Sequence, residues 1–221
     1  MANRLRHIPS RTSVIAVLLF GIGFLSLSLI AQAQQKRINI LNASRIVGGT
    51  YQGQQVRRIL GDVHIRHKTL EMYSDSAYQF INQSKIRAFG NIELDTGTEK
   101  IWTDTLTYFT DEDFSKLRGR VIIATDSTTL FGHSVDYSFE TKEAHFLDRI
   151  RYEDLQGTLK ADSGYYFRRT DSVRFHGKVQ LSDSLQYLEG DSLFGNRRKE
   201  YYQLHGHIFG DDRKNDSKLL G

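Results

Sequence analysis

The chain has 221 residues, a formal net charge of +4, no cysteine and a single proline. That length can bury a sizeable core in one domain or two, and the lack of cysteine excludes a disulfide framework. Three basic residues fall in the first eleven positions, leaving only +1 beyond residue 33, so composition gives no support for a nucleic-acid footprint.

In chain order the first predicted element is a signal peptide over 1–33. Arg4, Arg6 and Arg11 form a positive start, Val14 to Ile30 is an apolar run, and Ala31-Gln32-Ala33 offers a small-residue cleavage site. An uncleaved membrane anchor is the alternative, because the run approaches bilayer-spanning length. No cysteine follows the run, which argues against lipoprotein processing. Pro9 is the only proline, and a following chain without proline suits long ladders of backbone hydrogen bonds.

From residue 38 the sequence is periodic with a step of 29. Gly61, Gly90, Gly119, Gly177 and Gly206 fall in register, with Asp148 at the one exception. Two residues beyond each position stand Val63, Ile92, Val121, Ile150, Val179 and Ile208. Two residues before stand Ile59, Ala88, Leu117, Phe146, Phe175 and Leu204. A second register holds Asp75, Asp104, His133, Asp162 and Asp191, each followed by Ser or Thr and preceded at three residues by Met72, Ile101, Leu130, Leu159 or Leu188.

Each unit therefore reads as two strands. The glycine strand alternates apolar and polar residues, as in Val63-His64-Ile65-Arg66, the signature of a half-buried strand. The Asp-Ser strand runs on into aromatics such as Tyr108 and Tyr137. Polar links such as Asp95-Thr96-Gly97-Thr98 carry turn chemistry. Almost no helix is expected outside the signal. Units of this size bury their apolar face only by stacking, which predicts an all-β protein of two facing sheets. The expected organisation is a β domain over 34–212 and a frayed polar tail over 213–221, with rungs that bulge or bend at His133 and Asp148.

The phrases "LGDVHIRHKTLEMYSDSAY" (60–78), "AFGNIELDTGTEKIWTDTLTY" (88–108), "LRGRVIIATDSTTLFGHSVDY" (117–137) and "GTLKADSGYYF" (157–167) resemble the OstA-like/LptA family of periplasmic lipopolysaccharide-transport proteins. The resemblance covers roughly residues 38–210. It implies a β-jellyroll open along one side (a β-taco) and a periplasmic location, with association to the outer membrane as an extension. It also implies lipopolysaccharide as cargo, its acyl chains in an apolar groove and its sugars and phosphates facing water. Partners would be other lipopolysaccharide-transport proteins, joined through sheet edges near 41–55 and 205–212, and further copies of the chain joined head to tail.

The groove candidates are the inward positions of the repeat. They comprise Val63, Ile65, Met72, Ile92, Leu94, Ile101, Val121 and Ile123, followed by Leu130, Phe146, Ile150, Leu159, Phe175, Val179, Leu181 and Leu188. The acidic ladder Asp75, Asp104, Asp162, Asp191 invites a catalytic or cation-binding reading. Its identical recurrence beside a hydroxyl residue instead favours a structural role at a bend. His64, His67, His176, His205 and His207 lack a metal-ligand spacing, and no cofactor or catalytic residue is expected. Arg57, Arg58, Arg118, Arg120, Arg149 and Arg151 read as a solvated strand face, with contact to sugar phosphates at a rim as the alternative. The competing function is a secreted structural or adhesive β-repeat with a packed interior. A carbohydrate-active repeat would need a cleft with two acids.

Overall fold

A computed structural model describes residues 38–221; the expected signal peptide lies outside them. Seventeen strands join in one antiparallel sheet, and the helical turn among the described residues is a 3-10 turn at Arg197–Lys199. Two short strands, β1 (Asn39–Asn42) and β2 (Arg45–Tyr51), line the two halves of β3 (Gln54–His67). A meander follows through β4 (Leu70–Phe80), β5 (Lys85–Asp95), β6 (Lys100–Phe109), β7 (Phe114–Ala124) and β8 (Thr128–Ser138), each paired with the strand before it.

The next two strands are each split in half. β9 (Glu143–Phe146) and β10 (Ile150–Asp154) both pair with β8, and they pair onward with β12 (Ser163–Phe167) and β11 (Thr158–Ala161) respectively. β13 (Ser172–Ser182) and β14 (Gln186–Asn196) restore the long strand. β15 (Tyr201–His205), β16 (Phe209–Asp212) and β17 (Ser217–Leu220) complete the sheet. Residues 213–221, expected to fray, thus include a paired strand.

The two facing layers are one sheet folded over rather than two. In β5 the residues on both sides of the glycine, Ile86 and Ala88 before it and Ile92 and Leu94 after it, are all buried. Gly90 and Asn91 are both left-handed, with φ of 75° and 45°, and the ladder to β4 and β6 skips them. This is a bulge that turns the strand while keeping the same face inward. Asn tolerates the left-handed region better than most residues, and Asp62 and His207 occupy the same place in their units. On the partner strand β6, Asp104 and Thr105 point outward together, so Ile101 and Thr103 on one side and Leu106 and Tyr108 on the other all turn inward. Repeated along the meander, the corner divides the sheet into two arms whose inner faces share one core.

At the irregular fourth rung the parts are exchanged. Asp148 stands where glycine is elsewhere, and its carboxylate accepts from the backbone N–H groups of His133 (3.2 Å) and Ser134 (3.3 Å). At the regular rung the carboxylate sits on the other strand, where Asp104 accepts from the N–H of Arg120 at 2.7 Å. The expected bend is the point at which the strand divides into β9 and β10.

Candidate functional site

The continuous apolar interior is the site candidate. Fourteen of the sixteen inward residues named from the sequence, Val63 through Val179, are buried, all at 6% exposure or less. Leu181 is half-buried, and Leu188 is 36% exposed. The side chains interdigitate: a Cβ added to Gly132 would lie 2.7 Å from Phe146, and one added to Gly190 would lie 2.7 Å from Leu204. The residue before each corner position, Asp or His133, is small throughout, being Ser74, Thr103, Gly132, Ala161 and Gly190. That signal lies in the repeat register itself.

The side expected to be open is bridged by polar side chains at the arm tips. First, the buried His67 in β3 meets Tyr108 and Asp113 of the opposite arm. The Tyr108 hydroxyl donates to Asp113 (2.7 Å), so its oxygen is free to accept from Nδ1–H of His67 (2.6 Å). Lys68 pairs with the same carboxylate. Burial lowers the pKa of His67, outweighing the nearby Asp113. Burial works to raise the pKa of Asp113, but the bonds from Lys68 and Tyr108 prevail and hold it below the ordinary carboxylate value. Burial, reinforced by the bond to Asp113, raises the pKa of Tyr108.

The second bridge joins Glu99, whose side chain is fully buried, to Tyr137 and Arg168. Tyr137 donates to Oε2. Arg168 Nε stands 3.7 Å from Oε1, and neither of these two buried atoms has a hydrogen-bond partner. The third centres on Arg197, which donates to Ser127 (2.9 Å), Thr128 (2.6 Å) and Tyr152 (3.2 Å) and pairs with Asp154 and Asp171. None of these bridges follows from local spacing, because the partners on opposite arms lie 38 to 70 residues apart in sequence.

Beyond the third bridge the interior opens toward the end of the repeat. A cavity of about 170 Å³ lies between Tyr152, Leu159, Leu181 and Leu188 on one arm and Tyr202 on the other. Both ends of the sheet are unpaired among the described residues. β2 bonds only to β3 and carries the exposed Ile46 and Val47. β17 bonds only to β16 and carries the exposed Leu219 and Leu220.

The acidic ladder sits at the corners. The carboxylates of Asp75, Asp104, Asp162 and Asp191 lie directly beneath Gly90, Gly119, Gly177 and Gly206 of the next strand. Asp75 accepts from Asn91 (3.0 Å), and Asp191 is bonded to His207 (2.7 Å). Each acid faces a different corner, so no two converge as a catalytic pair would. Among the described residues no group of three His, Cys, Asp or Glu is placed to hold a metal ion.

An antiparallel repeat sheet, folded over a continuous apolar interior and free at both edges, defines a β-repeat protein with an enclosed core. The family model for OstA-like proteins matches residues 35–191, and the chain belongs to that family. Among solved structures, one similar chain is LptH from Pseudomonas aeruginosa, described as the LptA homologous periplasmic component of the conserved lipopolysaccharide transport device. It is 15% identical with a TM-score of 0.43, over 50% of this chain and 81% of that one. Family membership rests on the family model, not on this distant likeness. A search of curated proteins returns no match.

Proposed function

We propose that this OstA-like chain is a periplasmic lipopolysaccharide-binding and transport protein that shields acyl chains in its apolar interior. Membership of the family carries the proposal, and the interior supports it. Each methylene moved from water into such a space gains about 0.8 kcal/mol, and contacts of this kind let a chain slide. The cavity near Leu181 and Leu188 is smaller than the ~300–1,000 Å³ of typical ligand pockets. It therefore admits the end of a chain, and deeper loading requires the arms to part at Arg197, then Glu99, then His67. The free edges at β2 and β17 suit assembly by strand addition into a bridge between inner and outer membranes.

One observation favours a second reading, that of a structural or adhesive repeat: the inward side chains already fill the core. Photo-crosslinking separates the two. With a photoreactive residue at Leu188, Leu181, Leu159 or Ile92, the transport reading expects lipopolysaccharide adducts, strongest at Leu188 and reaching inward. Adducts confined to outward positions such as Tyr73 would overturn it and leave the packed repeat.

A further inference from the structure

The outer face of the irregular rung carries a feature that the apolar interior does not explain. The position after the corner glycine is Asp62 and Asn91 in the first two units, and then becomes Arg120, Arg149 and Lys178 in three successive ones. Neighbouring strands lie about 4.8 Å apart and each unit adds two, so these cations form a column with a step of about 10 Å. Arg151 on β10 and Lys160 on β11 stand beside the column. Together the five line a concavity of about 750 Å³ on the outside of the sheet, with His133 and Asp162 at its edge.

The charge there is unbalanced. Arg149, Lys160 and Lys178 form no ion pair within 4.0 Å among the described residues, whereas Arg120 reaches Asp104 at 3.8 Å and Arg151 reaches Glu153 at 3.3 Å. Asp162 is the one carboxylate in the lining. Asp148, whose Oδ1 accepts from the backbone N–H groups of His133 and Ser134, is not among the residues that line the concavity. Arg151 is held in place, its guanidinium 4.1 Å from the centre of the Phe131 ring and one of its terminal nitrogens on Glu153, so its remaining N–H groups are the ones that could reach an anion. A concave surface with three unpaired cations and one lining carboxylate favours a counter-anion, and guanidinium groups match the geometry of phosphate oxygens. Composition hid this face, because the cations come from four strands and the link between β9 and β10, spread over some sixty residues, and the net charge is low.

We propose that this concavity is a binding site for a phosphate-bearing anion, gripped by Arg149, Lys160 and Lys178 and oriented by Arg120 and Arg151. The phosphate is either a headgroup substituent of a glycolipid or a free oligophosphate. Because the site lies outside the folded sheet, it does not depend on lipid reaching the interior.

Calorimetric titration with pyrophosphate tests it without lipid. The expected result is saturable binding that weakens with salt and falls about tenfold or more in Arg149→Gln/Lys160→Gln/Lys178→Gln. An equal charge removal elsewhere, Lys116→Gln/Arg169→Gln/Lys199→Gln, should leave affinity within about threefold, as screened distant charges do. No binding at millimolar pyrophosphate, or the same loss in both triple variants, would overturn the site. Parallel titrations with lipopolysaccharide and its dephosphorylated form then identify the source. A loss in the concavity variant seen only with the phosphorylated lipid assigns the headgroup, and a loss seen only with pyrophosphate assigns a free anion.

Discussion

The corner is built from two residues on neighbouring strands, a left-handed glycine and an acid beneath it. At Gly90 a Cβ would stand 2.3 Å from Oδ2 of Asp75, while at Gly97, also left-handed with φ of 82°, it would meet open space. Any side chain at either position carries the left-handed penalty of roughly 1–2 kcal/mol; only Gly90 adds a collision. We expect Gly97→Ala to cost about that penalty, and Gly90→Ala to cost at least about 1 kcal/mol more. Denaturant unfolding of both variants measures the difference. Adding Asp75→Ala to Gly90→Ala removes the colliding oxygen, so the double variant should be more stable than Gly90→Ala alone despite losing the bond from Asn91. Equal costs at Gly90 and Gly97 would mean that the corner does not depend on this contact.

At the scale of the strand pair, the third and fourth rungs show that a carboxylate facing backbone N–H groups can sit on either strand of the corner. Asp148→Gly alone would orphan the N–H groups of His133 and Ser134, and His133→Asp alone would set two carboxylates against each other. Each single change should destabilise by about 1–2 kcal/mol, and the pair together should recover most of the loss. The interaction energy in a double-mutant cycle reads it directly; simple additivity would refute the exchange. This rung also marks how far the sequence can be read. The period of 29 and the alternation within each strand placed Ile92, Leu94, Val121 and Ile123 on the inner face, because corner and strand chemistry are local and recur. His133 and Asp148 were visible as departures, but not their compensation, which depends on which backbone groups face each carboxylate. The folding of one sheet into two arms was equally hidden. Alternation is the same in a continuous sheet and a pair of sheets, and only the bulge at Gly90-Asn91 distinguishes them. His67, Glu99 and Arg197 gave no signal, since each meets partners brought close by the fold and not by spacing.

For the whole molecule, the bridges between arm tips decide whether the interior is sealed, and one of them responds to pH. His67 is buried among Tyr108, Lys68, Asp113 and Asp111, and its pKa lies below the ordinary 6.5. A histidine with that shift binds fewer protons when folded than when unfolded. Its contribution to stability is therefore full above about 6.5 and is lost as pH falls through the lowered folded value. Asp113, also lowered, keeps its contribution down to its ordinary 3.8 and loses it only at lower pH. Between pH 7.5 and 5.0 the histidine is thus the member of this bridge that weakens. We expect the melting temperature to decline across that range, by about 2–4 °C for each kcal/mol lost in a chain of this size. His67→Phe, which keeps the buried ring and removes the proton site, should flatten the His67 share of the decline while leaving the acid-side loss from carboxylates in place. If loading requires the arms to part, lipopolysaccharide crosslinking at Met72, beside the first bridge, should rise on acidification in the parent chain. In His67→Phe, where the titrating contact to Tyr108 is gone, crosslinking at Met72 should no longer change with pH over the same range. A pH response that persists undiminished in His67→Phe would place the gate elsewhere along the arm tips, with the Glu99 and Arg197 bridges next to be opened by Glu99→Gln and Arg197→Met.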